Sequence, residues 1–520
     1  MKTFSFLWVV VAFFSFTYHL PTFAEIPIKL QTKERLHSKI LANRLSGFTV
    51  SPDGLRVAYV VGAGQYSEKY QRDEDAEGWQ SNKLVVDGKL GSPYWSVEKL
   101  GFSPNSQRVA YIARSTESFF AVVDGAEYEH YGHTASIPDN QQIRDIYQLR
   151  FSPDSSSFVY VASSYAAEGP SFVVVNGKKE KPYASVHEPV FSPNSKRLAY
   201  QAEPQGEFGG FNVINGVEGK KYFSAIHDGG IIFSPDSKRY AYCIEAQKNN
   251  DLPRSIIVVD DKEQGYCSSD MKFSPNSQHF AYINQNILFM NGKASEPYPV
   301  KQLRGLHFSP DSQHLAFAAM SDELAHMVID GKEGKKYSQV GENRMQGIVF
   351  SADSKNIAYM AAINSGKEDS SGFRIQEWRV VLNDKEEKPH RYVSNITFSP
   401  DSTKLAYVAH NAIDGKAKAK AKSFVIQNGL AGKAYDGIHD LVFSSDSKTL
   451  AYVARKNKKM FVVVNGKEGK TYEYVIAKGT YEHNFQKILE TGSLRFDSNQ
   501  KLRYLAVRNK QIVVVETSFQ

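Results

Sequence analysis

His130 and His133, three residues apart in the run Glu-Tyr-Glu-His-Tyr-Gly-His, could offer two imidazole nitrogens to a transition metal. No third ligand accompanies them in sequence, so no metal centre is expected. The acidic run Asp73-Glu74-Asp75-Ala76-Glu77-Gly78 has the charge of a calcium loop without the ligand spacing of an EF-hand. Four lysines alternate with alanines at 416–422, which could attract an anionic surface but reads more simply as a solubilising loop. Trp79, Trp378 and Tyr481 fall in or near long loops and could stack on a sugar ring or anchor a peptide. His-Glu-x-x-His, a Walker loop, a Rossmann glycine fingerprint and Gly-x-Ser-x-Gly are all missing from the sequence, and no catalytic dyad stands out. No cofactor is expected, and catalysis is the less favoured reading.

These residues sit on a repeat. One block returns eleven times: an apolar lead residue, then Ser-Pro-Asp/Asn-Ser/Gly, then a run such as Leu-Ala-Tyr-Val-Ala. The lead residues are Val50, Phe102, Phe151, Phe191, Phe233, Phe273, Phe308, Phe350, Phe398, Phe443 and Phe496. Their spacing of 35 to 53 residues suits one four-stranded propeller blade per repeat. Strand a ends at the lead residue, and proline at the next turn position presets φ for a tight a–b connection. Strand b is apolar at successive positions, so both its faces should be buried, as in a sheet sandwiched between two neighbours. Strand c is a β-branched run closed by Asn-Gly or Asp-Gly, the dipeptides of tight hairpins. Strand d carries a recurring tyrosine, as at Tyr222, Tyr337, Tyr435 and Tyr472. The predicted fold class is therefore all-β, a β-propeller of about eleven blades.

Blocks such as those at 191–202 and 398–409 resemble the WD-like repeat of TolB-type β-propellers, and the resemblance spans about 48–515. It implies the fold and not an activity, because such propellers host many functions. Neither the α/β domain that precedes the propeller in TolB nor the hydrolase domain of prolyl oligopeptidase relatives is expected here. Some TolB-like propellers are lyases with a His-held metal, and His187 and His439 keep that option open.

Eleven blades exceed the usual four to eight of one ring. Two tandem propellers are therefore expected, at 48–270 and 271–520, with one large ring as the alternative. The last repeat ends after strand c, so residues near 26–30 or 45–50 could supply its fourth strand and close an exposed edge. The segment 25–47 is read as that strand or as a short helix, since Leu36, Ile40, Leu41 and Leu45 could share one helix face. Residues 1–24, with Lys2, an apolar run at 4–16 and Thr22-Phe23-Ala24, read as a secretory signal peptide. No later segment is apolar enough to cross a bilayer, so no transmembrane segment is expected after cleavage, and the location should be periplasmic or extracellular. Cys243 and Cys267 fall on the second and fourth strands of one blade. Two strand spacings put them near 10 Å apart, too far to bridge, so two buried thiols are favoured.

The net charge of +7 over 520 residues is mild and gives no nucleic-acid footprint. On this scaffold the a–b and c–d turns share one face and are nearly constant, while b–c and d–a connections share the other and vary in length. Binding residues on repeats usually sit where length varies. Three or four positions before each lead residue, at the channel mouth, lie Glu98, Lys99, His187, Glu188, Asp270, Arg304, His439 and Asp440. The candidate ligand face thus comprises Trp79, His130, Tyr131, His133, His187, Glu188, Asp270, Arg304, Trp378, His439, Asp440 and Tyr481. The favoured function is a non-enzymatic scaffold for a protein or glycan of the cell envelope. A polysaccharide lyase or hydrolase working in the channel, and a structural surface or adhesion protein, are the alternatives.

Overall fold

A computed structural model describes residues 29–39, 46–62, 82–132, 142–164, 169–224, 230–247, 254–267, 270–341, 347–368, 374–411, 422–477 and 492–519. All regular structure among them is β, in eleven antiparallel sheets with strand order a-b-c-d. The sheets, numbered as blades 1–11 in chain order, form a ring, a β-propeller. Neighbouring a strands approach one another, which places them toward the axis.

Each Ser-Pro-Asp-Ser turn is held by its own side chains. In blade 1, Ser51 Oγ donates to Asp53 Oδ1 and accepts from Arg56 N, while Asp53 Oδ1 also accepts from Leu55 N. The last serine of the motif does something else. It adopts a left-handed conformation, as Ser106 does at φ 65°, and its Oγ accepts the backbone N–H of the preceding blade's Asp or Asn. This latch runs from Asp53–Ser106 to Asp401–Ser447 without a gap, linking blades 1 to 10. At the seam the latch residue changes: Gln500 stands for the serine in blade 11 and Gly54 in blade 1. A Cβ at Gly54 would lie 2.7 Å from the Ser493 carbonyl oxygen, so the backbone of blade 11 occupies the latch volume.

Strand b is buried on both faces, and its tyrosines (Tyr59, Tyr160, Tyr200, Tyr407 and others) are fully buried. The strand-d tyrosine of one blade packs edge-on against the strand-b tyrosine of the next, as in Tyr94–Tyr111 at 6.0 Å and Tyr435–Tyr452 at 6.2 Å. Its hydroxyl donates to a glutamate on the next strand d: Tyr183 to Glu218, Tyr337 to Glu386, Tyr435 to Glu468. Apolar clusters span every neighbouring pair. Blade 5 meets blade 6 through Cys243, Ile257 and Val259 against Met271 and Tyr282. One cluster joins Val50, Val57 and Tyr59 of blade 1 to Leu502, Leu505 and Val513 of blade 11.

The fourth strand of blade 11 comes from Leu30–Lys39, which pairs antiparallel with Gln511–Phe519 from Leu30↔Phe519 to Lys39↔Gln511. This stretch is extended where a helix over 30–45 was the alternative. Its exposure alternates as in a strand, with Ser38 against blade 1, and Leu36 is half exposed rather than on a buried helix face. Ile40, Leu41 and Leu45 lie outside the described residues.

The two cysteines form a disulfide, with Cα atoms 5.7 Å apart, which corrects the expectation of two thiols. Flat strand spacing does not apply there. Cys267 follows the end of the fourth strand (Lys262–Tyr266), after a register shift opposite Ile257 and Val258 that re-aims the chain.

Candidate functional site

The a–b and c–d turns do lie together: Asp87 of a c–d turn accepts Val57 N and Arg56 Nε beside an a–b turn. Most of that face is taken up by repeated structural bonds. The opposite face, where b–c and d–a connections emerge, carries the variation.

On that face the residues three and four before the lead form a bulge in strand a. The register shifts there in most blades, as between His187 and Val190 or His439 and Val442. The residue three before the lead turns left-handed: Lys99, Gln148, Glu188, Asn395 and Asp440 have φ between 46° and 56°. The bulges touch around the channel. Gln148 and Glu188 exchange two hydrogen bonds, of 2.9 and 3.0 Å, across blades 3 and 4. Asp270 Oδ2 accepts Gly305 N at 2.6 Å across blades 6 and 7. Asp440 of blade 10 lies against Gly492 of blade 11.

The other expected residues spread over this scaffold. Glu98 pairs with Arg114, which also reaches Asp145. Arg304 is exposed. His187 and His439 sit in blades 4 and 10 and are not brought together; burial lowers the pKa of both, that of His439 to about 4 with help from Arg455 and His410. His130 stacks on Phe120 at 3.8 Å, its nitrogens on Ser118 and Glu127, while Tyr131 is buried with its hydroxyl on Glu129. Among the described residues no group of three or more His, Cys, Asp or Glu could hold a metal ion. Trp378 is 8% exposed and packs edge-on to Tyr392, because residues up to Glu368 and from Arg374 continue strands b and c, with Ile363↔Glu377 and Asn364↔Gln376. Trp79, His133, Tyr481, the acidic run at 73–78 and lysines 416–420 lie outside the described residues, as do residues 1–24; Lys422 bonds Asp436.

A feature that sequence reading missed lies between blades 4 and 5. Glu203, Glu207, Phe208, Phe223, Ser224 and Glu245 line a groove of about 660 Å³. Phe208 is 73% exposed and meets Phe223 edge-on at 4.8 Å. Gly209, at φ 101°, lies so close to the Tyr222 carbonyl that a Cβ would clash at 2.4 Å, which fixes the turn presenting Phe208. Ser185 donates to Glu203 and Lys221 pairs with Glu207, leaving an acidic rim around two aromatic rings. The available signal was a phenylalanine inside a Gly-rich b–c connection, Gly206-Glu207-Phe208-Gly209-Gly210, with no core position to fill.

No family model matches the chain, and no curated protein matches it in sequence. Among solved structures it is similar to one described as a eukaryotic initiation factor, at 14% identity and TM-score 0.36, covering 71% of this chain and 96% of that one. It is similar to the β-propeller domain of the Trilobed protease from Pyrococcus furiosus, at 13% identity and TM-score 0.26, over 56% of this chain and 97% of that one. The tricorn protease is similar at 12% identity and TM-score 0.26, over 90% of this chain and 57% of that one. The propeller assignment rests on the strand pairing rather than on these likenesses. No helix among the described residues is long and apolar enough to cross a membrane.

Proposed function

We propose that this chain is an exported, non-enzymatic β-propeller scaffold of TolB-type repeats that captures a protein or glycan partner on its b–c and d–a face. The observation that carries the reading is Phe208, a large exposed ring held edge-on to Phe223 inside an acid-rimmed groove on the variable face. An aromatic pair beside carboxylates can grip the flat face of a sugar or a basic, partly apolar peptide. Export is supported by the leader-like run at 1–24 and by the Cys243–Cys267 disulfide, which persists in oxidising compartments.

In this proposal the eleven blades close as one ring. Two tandem rings would need blade 5 to pack on blade 1; support for one ring comes from the blade 5–6 cluster, the unbroken latch and the packing of blade 11 on blade 1. The test of function is capture of partners from the native envelope by the mature protein and by Phe208→Ala. Loss of the captured species in the variant is the expected result, with protease and periodate treatment telling a protein from a glycan. Identical capture by both proteins would sink the reading.

A further inference from the structure

On the opposite face, four blades place arginine six residues after the lead: Arg56, Arg108, Arg197 and Arg239. Each guanidinium lies over the lead phenylalanine of the next blade, 5.1–5.2 Å from the ring centroid. Three of them also donate Nη1 to two successive carbonyls of the next a–b turn: Arg56 to Ser106 and Gln107, Arg108 to Ser155 and Ser156, Arg197 to Ser237 and Lys238. In blade 9 a lysine serves: Lys404 Nζ donates to Ser447 O at 2.7 Å. A ring face and two carbonyls thus make a cation seat between neighbouring blades. Uncharged residues take the position in blades 3, 8, 10 and 11, as Ser157, Asn356, Thr449 and Leu502, and blade 7 has His314, which bonds Asp330.

Blade 6 has His279 there. The shorter side chain turns to Asn291, 3.0 Å away, and a cavity of 430 Å³ opens between blades 6 and 7. Its walls include Phe308, Ser312 and Gln313, the lead ring and the two turn residues whose counterparts hold arginine elsewhere. Asp330, whose Oδ2 bonds His314 Nδ1 at 2.7 Å, adds a carboxylate to the wall.

We propose that this cavity takes an arginine side chain from a partner protein, completing in trans the wedge that blade 6 lacks. The chemistry selects arginine. A flat guanidinium can cover the Phe308 ring while its fork reaches the carbonyls of residues 312 and 313, whereas an ammonium meets them only as a point charge. The site lies on the face opposite the groove at Phe208 and stands or falls independently of it.

The test titrates N-acetyl-arginine amide into the intact protein by calorimetry, beside its neutral isostere N-acetyl-citrulline amide. Saturable binding with a Kd on the order of 1 mM is expected for so small a ligand, about tenfold or more tighter for the arginine compound. His279→Arg, which installs the residue that four other blades carry, should abolish it. In the unmodified protein, the arginine compound should slow amide hydrogen exchange in the turn 309–314, a readout that requires no variant. Equal binding of the two amides, undiminished binding by folded His279→Arg, or unchanged exchange in that turn would each overturn the proposal.

Discussion

His439 carries its imidazole on the inner strand of blade 10, half-buried beside Arg455 and in the field of His410. Desolvation and those neighbours hold its pKa at about 4, below the usual 6.5, and burial lowers His187, His390 and His410 in the same direction. In the unfolded chain these rings take up protons as pH falls through 6.5, while the folded protein resists until well below. Stability should therefore be complete above pH 6.5 and fall steadily toward pH 4, by on the order of 2–3 kcal/mol for His439 alone. Urea midpoints across that range should show the decline, and His439→Gln should flatten it; an unchanged slope would show that the ring is not held neutral. The residue types at such positions were legible in sequence: the lead residues and their spacing placed His439 and Glu188 on strand a, three or four positions before the lead. Their backbone was not. A bulge with left-handed φ at Lys99, Gln148, Glu188 and Asp440 has no signature when non-glycine residues occupy it, and only Gly47, Gly230 and Gly305 hinted at the conformation. The disulfide escaped for a related reason, since the register shift before Cys267 is a property of the folded sheet.

At the scale of the strand, Leu30–Lys39 completes blade 11 and reproduces a pattern seen in several other d strands. Glu34 accepts Tyr472 Oη at 2.8 Å, as Glu218, Glu386 and Glu468 accept their tyrosines, and it pairs with Lys470 and Arg508 at 2.8 and 2.9 Å. Glu34→Ala leaves a buried phenol and two cations without their acceptor and should cost about 2 kcal/mol. Hydrogen exchange should then rise in 511–519 and not in the middle blades; a uniform rise would argue that the strand does not close the sheet as described. Here the sequence held more than periodicity extracted from it. Lys33-Glu34 repeats the Lys-Glu pair of Lys332-Glu333, Lys385-Glu386 and Lys467-Glu468, which marks strand d. Separation of the strand from the rest of its blade by more than four hundred residues hid that equivalence. The tight Ser-Pro-Asp turns, by contrast, were legible, because their chemistry is local: the first serine and the aspartate satisfy backbone groups within five residues. The latch made by the last serine reaches the preceding blade and has no local signal.

For the whole molecule, the proposed single ring makes stability collective. Each blade is sandwiched between two others, so none can lose its packing without exposing a neighbour's apolar face. One thermal transition is expected, with calorimetric and van't Hoff enthalpies in agreement, where tandem propellers of five and six blades would give two. Reducing the disulfide, whose cysteines are 24 residues apart, should lower that transition, the cross-link being worth roughly 3 kcal/mol in the chain-entropy view. Two resolved transitions would restore the tandem arrangement. Blade number and the repeat unit could be read from sequence because each is written in local motifs. Ring closure could not, since it depends on which blade the last one meets.

The seam has a bearing on how the molecule comes into being. Blade 11 is woven from two widely separated segments, Leu30–Lys39 with Gln511–Phe519. During synthesis Leu30–Lys39 emerges more than four hundred residues ahead of Gln511–Phe519 and must wait for it before it can pair. Until that later strand arrives, the apolar flanks of blades 1 and 10 that blade 11 covers stay open, and the pairing of the two distant strands acts as the clasp.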